Sequence, residues 1–391
     1  MTKSLRIIEN GIEQFAEFSK HAPRVFFAPG RANLLGAHMD YNGGVVMPVA
    51  LSRGTYVFAA LRKDNILRIS SQQFGGEVIE VTISDLLPQR AKGWASYIEG
   101  ALWATHERWQ YLGGLDIYVD SDLPIAKGLS SSASVTSAVV KAVASLFDID
   151  TDCDEMIHLS HLAENGYVGV RCGVIDQTAV FLGQKDSILM FDCLELTRDH
   201  VPLDSDIAQI AIIDSQISRE LASSEFNLRV AECTSALSTM QTHVPELTCL
   251  RELTANQFDE YKNHLSAIEQ KRTQHVIDEV QRTRRGTKAL RAYDIADFGA
   301  CMTAAHYSLR DLFEVSTDEL DTIVKAATDV EGCYGARLTG AGFGGCVAAL
   351  VHPQAKAEFE KHVCETYKQQ TDIQTSVQWF SPSDGVCEIE L

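Results

Sequence analysis

Leu123-Pro-Ile-Ala-Lys-Gly-Leu-Ser-Ser-Ser-Ala-Ser134 joins glycine and serine to the start of an apolar run. Val135, Val139, Ala142, Val143 and Leu146 recur at helical spacing, which predicts a helix whose first turn holds the amides of Ser131 to Ser134. Amides there lack intrahelical partners and the helix dipole favours an anion, so the stretch suits phosphate. Gly128 removes a Cβ from the approach, and a hydroxyl among Ser130, Ser131 and Ser132 is placed to ligate Mg2+. A serine-capped core helix is the competing reading, because the stretch is not a Gly-x-x-x-x-Gly-Lys-Ser/Thr loop with its lysine.

Arg31, Asn33, His38 and Asp40 stand between the glycines of Gly30-Arg-Ala-Asn-Leu-Leu-Gly-Ala-His-Met-Asp-Tyr-Asn-Gly-Gly44. Polar groups this dense suit a sugar, whose hydroxyls each need a donor or acceptor once water is excluded. His38 and Asp40 also admit a metal, though two ligands without a partner cluster make a thin set. Asp176 follows Gly173 and the apolar pair Val174-Ile175, the setting of a carboxylate in a partly dry pocket where it can act as a base. Glu164 sits on the preceding predicted helix within reach of a metal; either carboxylate also reads as a cap or an ion-pair partner. Gly340, Gly342 and Gly345 satisfy Gly-x-Gly-x-x-Gly, but Cys346-Val-Ala-Ala-Leu-Val351 reads as a strand where a dinucleotide fingerprint needs a helix. What remains is a glycine hairpin that brings backbone close to a ligand or another loop. Trp94 and Tyr97 either stack a purine or belong to the core.

The elements that must position these groups follow from periodicity. Residues 5–20 read as a helix; strands are predicted at 25–28, 45–51, 55–61, 66–70 and 115–119; helices at 94–103 and 157–166 follow. The chain restarts with a strand at 207–213 and long helices at 225–240, 255–282 and 295–312. This order predicts an α+β architecture with two domains, residues 1–205 and 206–391, divided at Asp204-Ser205-Asp206. A formal charge of −19 over 391 residues argues against an extended nucleic-acid or anionic-membrane footprint and leaves small molecules as partners. The ten cysteines include no Cys-x-x-Cys pair and read as reduced thiols. With neither a signal-peptide pattern at the N-terminus nor an apolar run of spanning length, the expected location is cytoplasmic.

Together these segments resemble the galactokinase branch of the GHMP kinases. The family's three motifs appear in order: Gly30-Arg31-Ala-Asn33 through Asp40-Tyr-Asn-Gly-Gly44, Pro124 to Ser134, and Thr339-Gly-Ala-Gly-Phe-Gly-Gly345. Ala163-Glu-Asn165, Cys172-Gly-Val-Ile-Asp-Gln177, Ser224-Glu-Phe-Asn-Leu-Arg229 and His306-Tyr-Ser-Leu-Arg-Asp311 extend the likeness over nearly the whole chain. The resemblance implies a two-domain GHMP kinase fold with the active site in the interdomain cleft, and an ATP-dependent sugar 1-kinase that moves the γ-phosphate to an anomeric hydroxyl. It implies that Asp176 accepts or orients that hydroxyl's proton while Arg31 stabilises charge at the reacting centre, an arginine beside the carboxylate favouring the orienting role. ATP would be bound by Gly128, Leu129, Ser130, Ser131, Ser132, Ala133 and Ser134, with Trp94 near its base, and Mg2+ by Ser132 and Glu164. Asn33, Ala37, His38, Asp40, Gly173 and Phe226 are the implied substrate positions.

Two positions depart from the family pattern. Galactokinases usually carry Glu where Ala37 stands and Tyr where Phe226 stands. Losing an acceptor-only carboxylate makes room for a carboxylated C6, so galacturonate is the leading expectation and galactose the alternative. A non-catalytic sugar and ATP sensor, and a kinase of a non-sugar alcohol, are the rivals.

Overall fold

The structure is a computed structural model that describes residues 3–89, 93–124, 128–170, 172–217 and 222–391. In chain order its elements open with α1 (Lys3–Phe18), β1 (Arg24–Leu35), β2 (Val45–Leu61), β3 (Ile66–Ser71), β4 (Ile79–Thr82), α2 (Ala95–Trp109) and β5 (Leu115–Ser121). Next come α3 (Ser131–Leu146), α4 (Cys153–Leu162), α5 (Ile175–Phe181), β6 (Ser187–Asp192), β7 (Arg198–Pro202) and β8 (Gln209–Asp214). The remainder is α6 (Ala222–Gln241), α7 (Ala255–Tyr261), α8 (Ala267–Arg291), α9 (Ile295–Ser308), α10 (Asp318–Thr328), β9 (Cys333–Thr339), β10 (Cys346–Val351), α11 (Lys356–Thr371), β11 (Val377–Phe380) and β12 (Cys387–Ile389). Wide π turns extend α4 through Ala163–Val168 and α9 through Leu309–Phe313.

The chain forms two units that do not divide at residue 205. One holds Met1–Arg31, Ala50–Gln184 and Ser383–Leu391, the other Ala32–Val49 and Lys185–Pro382. The interleaving follows from strand pairing. In the first unit β12 returns from the C-terminus to pair antiparallel with β1, Phe26 opposite Glu388. In the second, Val45 and Val46 of β2 pair with Phe191 and Asp192 of β6. Asp204-Ser205-Asp206 is a turn inside the second unit.

The first unit's sheet runs β12-β1-β2-β5-β3-β4. Its two faces are read off β2: Tyr56, Phe58 and Ala60 pack with Phe15 of α1, while Val57 and Ala59 pack with Leu102, Val139 and Val143 of α2 and α3. Alternation by two divides one strand between two apolar layers. β2 is continuous where two strands, 45–51 and 55–61, were expected, because Gly54 sits in regular backbone against the carbonyl of Ala28. The second unit carries the antiparallel sheet β11-β8-β10-β9. α9 lies on β9 at backbone distance, since a Cβ on Gly335 would fall 1.9 Å from the Gly299 carbonyl oxygen. The helix expected over 255–282 is two, α7 and α8; Ser266 restarts the second by accepting from the Glu269 amide while Glu269 reaches back to the Ser266 amide.

Candidate active site

In the first unit, Arg31 near the middle of β1 faces Asp176 in the first turn of α5. The pairing is bidentate: Nε donates to Oδ1 and Nη2 to Oδ2, each at 2.8 Å, and Nη1 donates to the Gly128 carbonyl at 2.8 Å. A planar guanidinium matched to a carboxylate in this way fixes orientation as well as charge. Ser130 occupies the N-cap of α3 in the left-handed region, φ 55°, and turns its hydroxyl away from the cap to donate to Asp176 Oδ2 at 2.5 Å. The phosphate-type loop and the carboxylate are thereby tied into one arrangement.

The amides of Ser131, Ser132 and Ala133 open α3, whereas the Ser134 amide already donates to the Ser130 carbonyl at 2.9 Å. The Ser134 hydroxyl is buried against the Ala28 carbonyl at 2.7 Å and Thr55 at 2.9 Å. Ser134 is therefore a core hydroxyl, a correction to its expected place among phosphate ligands: the expectation extended the free first turn one residue too far. Leu129 and Ala133 bury their side chains, and the Leu129 carbonyl accepts from the Arg31 amide at 3.1 Å. Ile125, Ala126 and Lys127 of this loop, and Arg171, lie outside the described residues. Trp94 immediately precedes α2, which runs to Trp109 rather than 103, and one indole face is covered by Phe74 at 5.1 Å in a parallel stack.

Glu164, in the π turn, is buried, and its Oε1 accepts from Gln177 Nε2 at 2.7 Å. Burial, and then the negative charge of Asp176, push its carboxyl up to about 7. Gln177 Oε1 is buried without a partner among the described residues, although nothing in the sequence singled out Gln177. Hard oxygen donors from Ser132 and Glu164, an orphan amide oxygen and two mutually repelling carboxylates fit a divalent cation such as Mg2+. No cluster of three or more His, Cys, Asp or Glu among the described residues is placed for a metal. Gly173 is exposed in the loop before α5.

The second unit holds the remaining polar positions. Asn33 lies two residues from Arg31 on β1; its amide donates to Thr339 Oγ1 at 3.2 Å, and its side-chain nitrogen faces the carbonyls of Leu35 and Met47. His38 adopts φ 59° and is buried, with Nε2 donating to the Ala341 carbonyl at 3.2 Å and Nδ1 accepting from the Tyr41 hydroxyl at 3.0 Å. With both ring nitrogens engaged, His38 is not free to bind a metal. Burial drives its pKa down to about 3, so the ring is neutral. Its faces meet Phe313 at 4.8 Å and Phe226 at 5.6 Å. Ala37 beside it is buried, and Asp40 begins the short turn Asp40–Asn42. The glycine hairpin between β9 and β10 makes the close approach expected of it: Gly342 has φ 84°, and a Cβ there would lie 2.3 Å from the Val315 carbonyl oxygen. All ten cysteines are free thiols. No helix among the described residues is long and apolar enough to cross a membrane.

An α+β chain with a serine loop at a helix start and an Arg–Asp pair beside it has the makings of a GHMP-type kinase, and comparison agrees. Residues 96–184 match the GHMP kinases N-terminal domain and residues 287–369 the GHMP kinases C-terminal domain. Mevalonate kinase shares the fold, with a TM-score of 0.67 at 19% identity over 91% of this chain and 99% of that one. Residues 13–61 match the galactokinase galactose-binding signature. Galactokinase of Fusobacterium nucleatum is 36% identical over 98% of this chain and all of that protein, and that of Streptococcus thermophilus 38% identical over 96% of each. Lactococcus lactis galactokinase, solved with galactose, superimposes with a TM-score of 0.92 at 33% identity, covering 98% of this chain and 100% of that one. The chain belongs to the galactokinase branch of the GHMP kinase family and is a galactokinase-family sugar kinase.

Proposed function

We propose that this protein transfers the γ-phosphate of ATP to the anomeric hydroxyl of a galactose-configured hexose. The bidentate Arg31–Asp176 pair, tied to the start of α3 by Ser130, carries the reading. Asp176 keeps lone pairs for a sugar hydroxyl while Arg31 holds its plane, so it orients that hydroxyl and receives its proton as the bond to phosphorus forms. Because both oxygens already accept hydrogen bonds, positioning outweighs basicity, in keeping with phosphoryl transfer as a reaction governed by placement and charge stabilisation. The amides of Ser131, Ser132 and Ala133 bind the phosphates. Ser132 and Glu164 would hold Mg2+, with Gln177 Oε1 as an added acceptor, and the ion would supply neutralisation of the phosphate charge. A silent sensor of sugar and ATP has no need of this pairing.

Galactose is the sugar that the relatives' names support. A uronic acid of the same configuration is the second reading, and it rests on the methyl group of Ala37 and the ring of Phe226 where the family pattern has a carboxylate and a phenol. The test is ATP-dependent ADP release over a panel of hexoses and uronic acids. Turnover with galactose or galacturonate supports the kinase reading, and nucleotide binding with no turnover on any sugar refutes it.

A further inference from the structure

α5 carries Asp176 but cannot place it unaided. The helix has seven residues, and its N-cap, Val174, offers no side chain to the orphan amides of the first turn. A helix this short does not hold its own conformation in water, so contacts from elsewhere must decide where its first turn points. Cys172 and Gly173, just before it, belong to no helix or strand. Arg31 and Ser130 hold the two carboxylate oxygens of Asp176, but neither sets the course of its main chain.

The π turn after α4 supplies those contacts. Asn165 meets Cys172 through both halves of its carboxamide: Nδ2 donates to the Cys172 carbonyl at 3.2 Å, and the Cys172 amide donates to Oδ1 at 3.3 Å. A carboxamide can give to and accept from the main chain of one residue at once, as a neighbouring strand does. His161 Nε2, one turn back on α4, stands 2.8 Å from Asn165 Nδ2 and 2.9 Å from the same Cys172 carbonyl. It therefore braces the pair in either tautomer, as acceptor from the amide in one and as donor to the carbonyl in the other. The residue before Asn165 holds the far end of the segment, because Glu164 Oε1 accepts from Gln177 Nε2 at 2.7 Å. The Glu164 carbonyl closes the turn by accepting from the amides of Gly169 at 2.9 Å and Val170 at 3.0 Å. Two successive side chains of a wide turn thus grip the chain on both sides of Asp176, and such turns recur at functional sites.

We infer that Asn165 is a positioning residue for Asp176: its carboxamide holds the Cys172 main chain so that α5 begins where the carboxylate meets Arg31 and Ser130. The inference rests on the sugar 1-kinase reading and adds to it a residue that acts through Asp176 rather than on the sugar.

A double-mutant cycle on the full chain tests it, with ADP release on galactose and galacturonate followed at enzyme concentrations that register the residual rate of Asp176→Asn. Asn165→Ala should lower kcat roughly tenfold or more while KM for ATP moves by less than about twofold, the pattern of a reacting group slightly misplaced. In the Asp176→Asn background the same change should cost less than about twofold, since a residue that acts only through the carboxylate has nothing left to place. Asn165→Asp keeps the size and the acceptor but loses the donor; it should show the same dependence on background, and it carries the cycle if Asn165→Ala does not fold. Equal losses in the two backgrounds would make Asn165 a structural residue and overturn the inference, as would wild-type kcat in both variants. Either result leaves the kinase reading standing, because the wild type still turns over. A wild type that phosphorylates neither sugar removes that reading and the inference with it.

Discussion

Asp176 makes its contacts through both oxygens, to Arg31 and to Ser130, so its replacement tests orientation more than charge. Asp176→Asn should lower kcat by about two orders of magnitude or more while ATP binds nearly as before, the usual scale for losing a group that manages a proton. Stopped turnover assays and nucleotide titration separate the two; near wild-type kcat would make Asp176 a structural carboxylate. Ser132→Ala should raise the Mg2+ concentration needed for half-maximal rate, because its hydroxyl, in the first turn of α3, is near enough to Glu164 to draw that carboxyl's pKa down and to share a cation with it. An unchanged Mg2+ titration would move the role to another loop serine. Both positions could be singled out from the sequence, since a carboxylate after Gly173 and a serine run before an apolar helix carry local signals. Gln177 and Arg337 could not, because an unpartnered buried atom exists only once everything around it is in place.

At the level of elements, caps and turns decide where the chain can be cut into pieces. Ser266 starts α8 with a reciprocal cap, and Ser266→Ala should cost about 1 kcal/mol of stability with kinetics unchanged. Gly342 is different. At φ 84° and with the Val315 carbonyl in the way, Gly342→Ala should cost roughly 2 kcal/mol or more, since the left-handed conformation and the overlap add. It should also raise KM for the sugar, because the neighbouring Ala341 carbonyl is what His38 Nε2 donates to. Urea denaturation beside sugar titration checks both; a variant as stable as the wild type would mean that the hairpin yields freely. The two π turns, one bearing Glu164 and one bearing Phe313, were read as ordinary helix, since hydrophobic spacing does not distinguish one extra residue per turn.

For the whole molecule, stability should depend on two histidines that fold neutral in the interior of the second unit. Burial lowers His38 to about 3 and His275 to about 4, against about 6.5 in an unfolded chain. A histidine with a depressed folded pKa takes its proton more readily when unfolded, so this stabilisation is present above about pH 6.5 and is lost as pH falls toward 4 and then 3. Each should contribute about 2 kcal/mol of destabilisation between pH 7 and pH 5, since one pKa unit is worth about 1.4 kcal/mol. Asparagine tolerates the positive φ at position 38, so His38→Asn should flatten the pH dependence of the melting temperature over that range. An unchanged slope would mean that the ring is hydrated or already charged.

The serine loop, the glycine hairpin, six of the twelve strands among the described residues and the family are legible in the sequence, because each depends on residues within a few positions of one another: a periodic apolar face, a missing Cβ, a hydroxyl at a helix start. Only the tertiary structure decided the rest. The two interleaved units depend on β12 finding β1, a pairing sealed by Arg24 and Glu388, which are 364 residues apart. The assignment of Ser134 to the core depended on Ala28 and Thr55 arriving beside it. The unmet hydrogen bonds of Arg337 depended on Glu279 being drawn to Gly36 and Arg282 instead. Short-range chemistry is written in spacing, whereas the partner of a buried polar group is chosen by competition among residues that only the folded chain brings together.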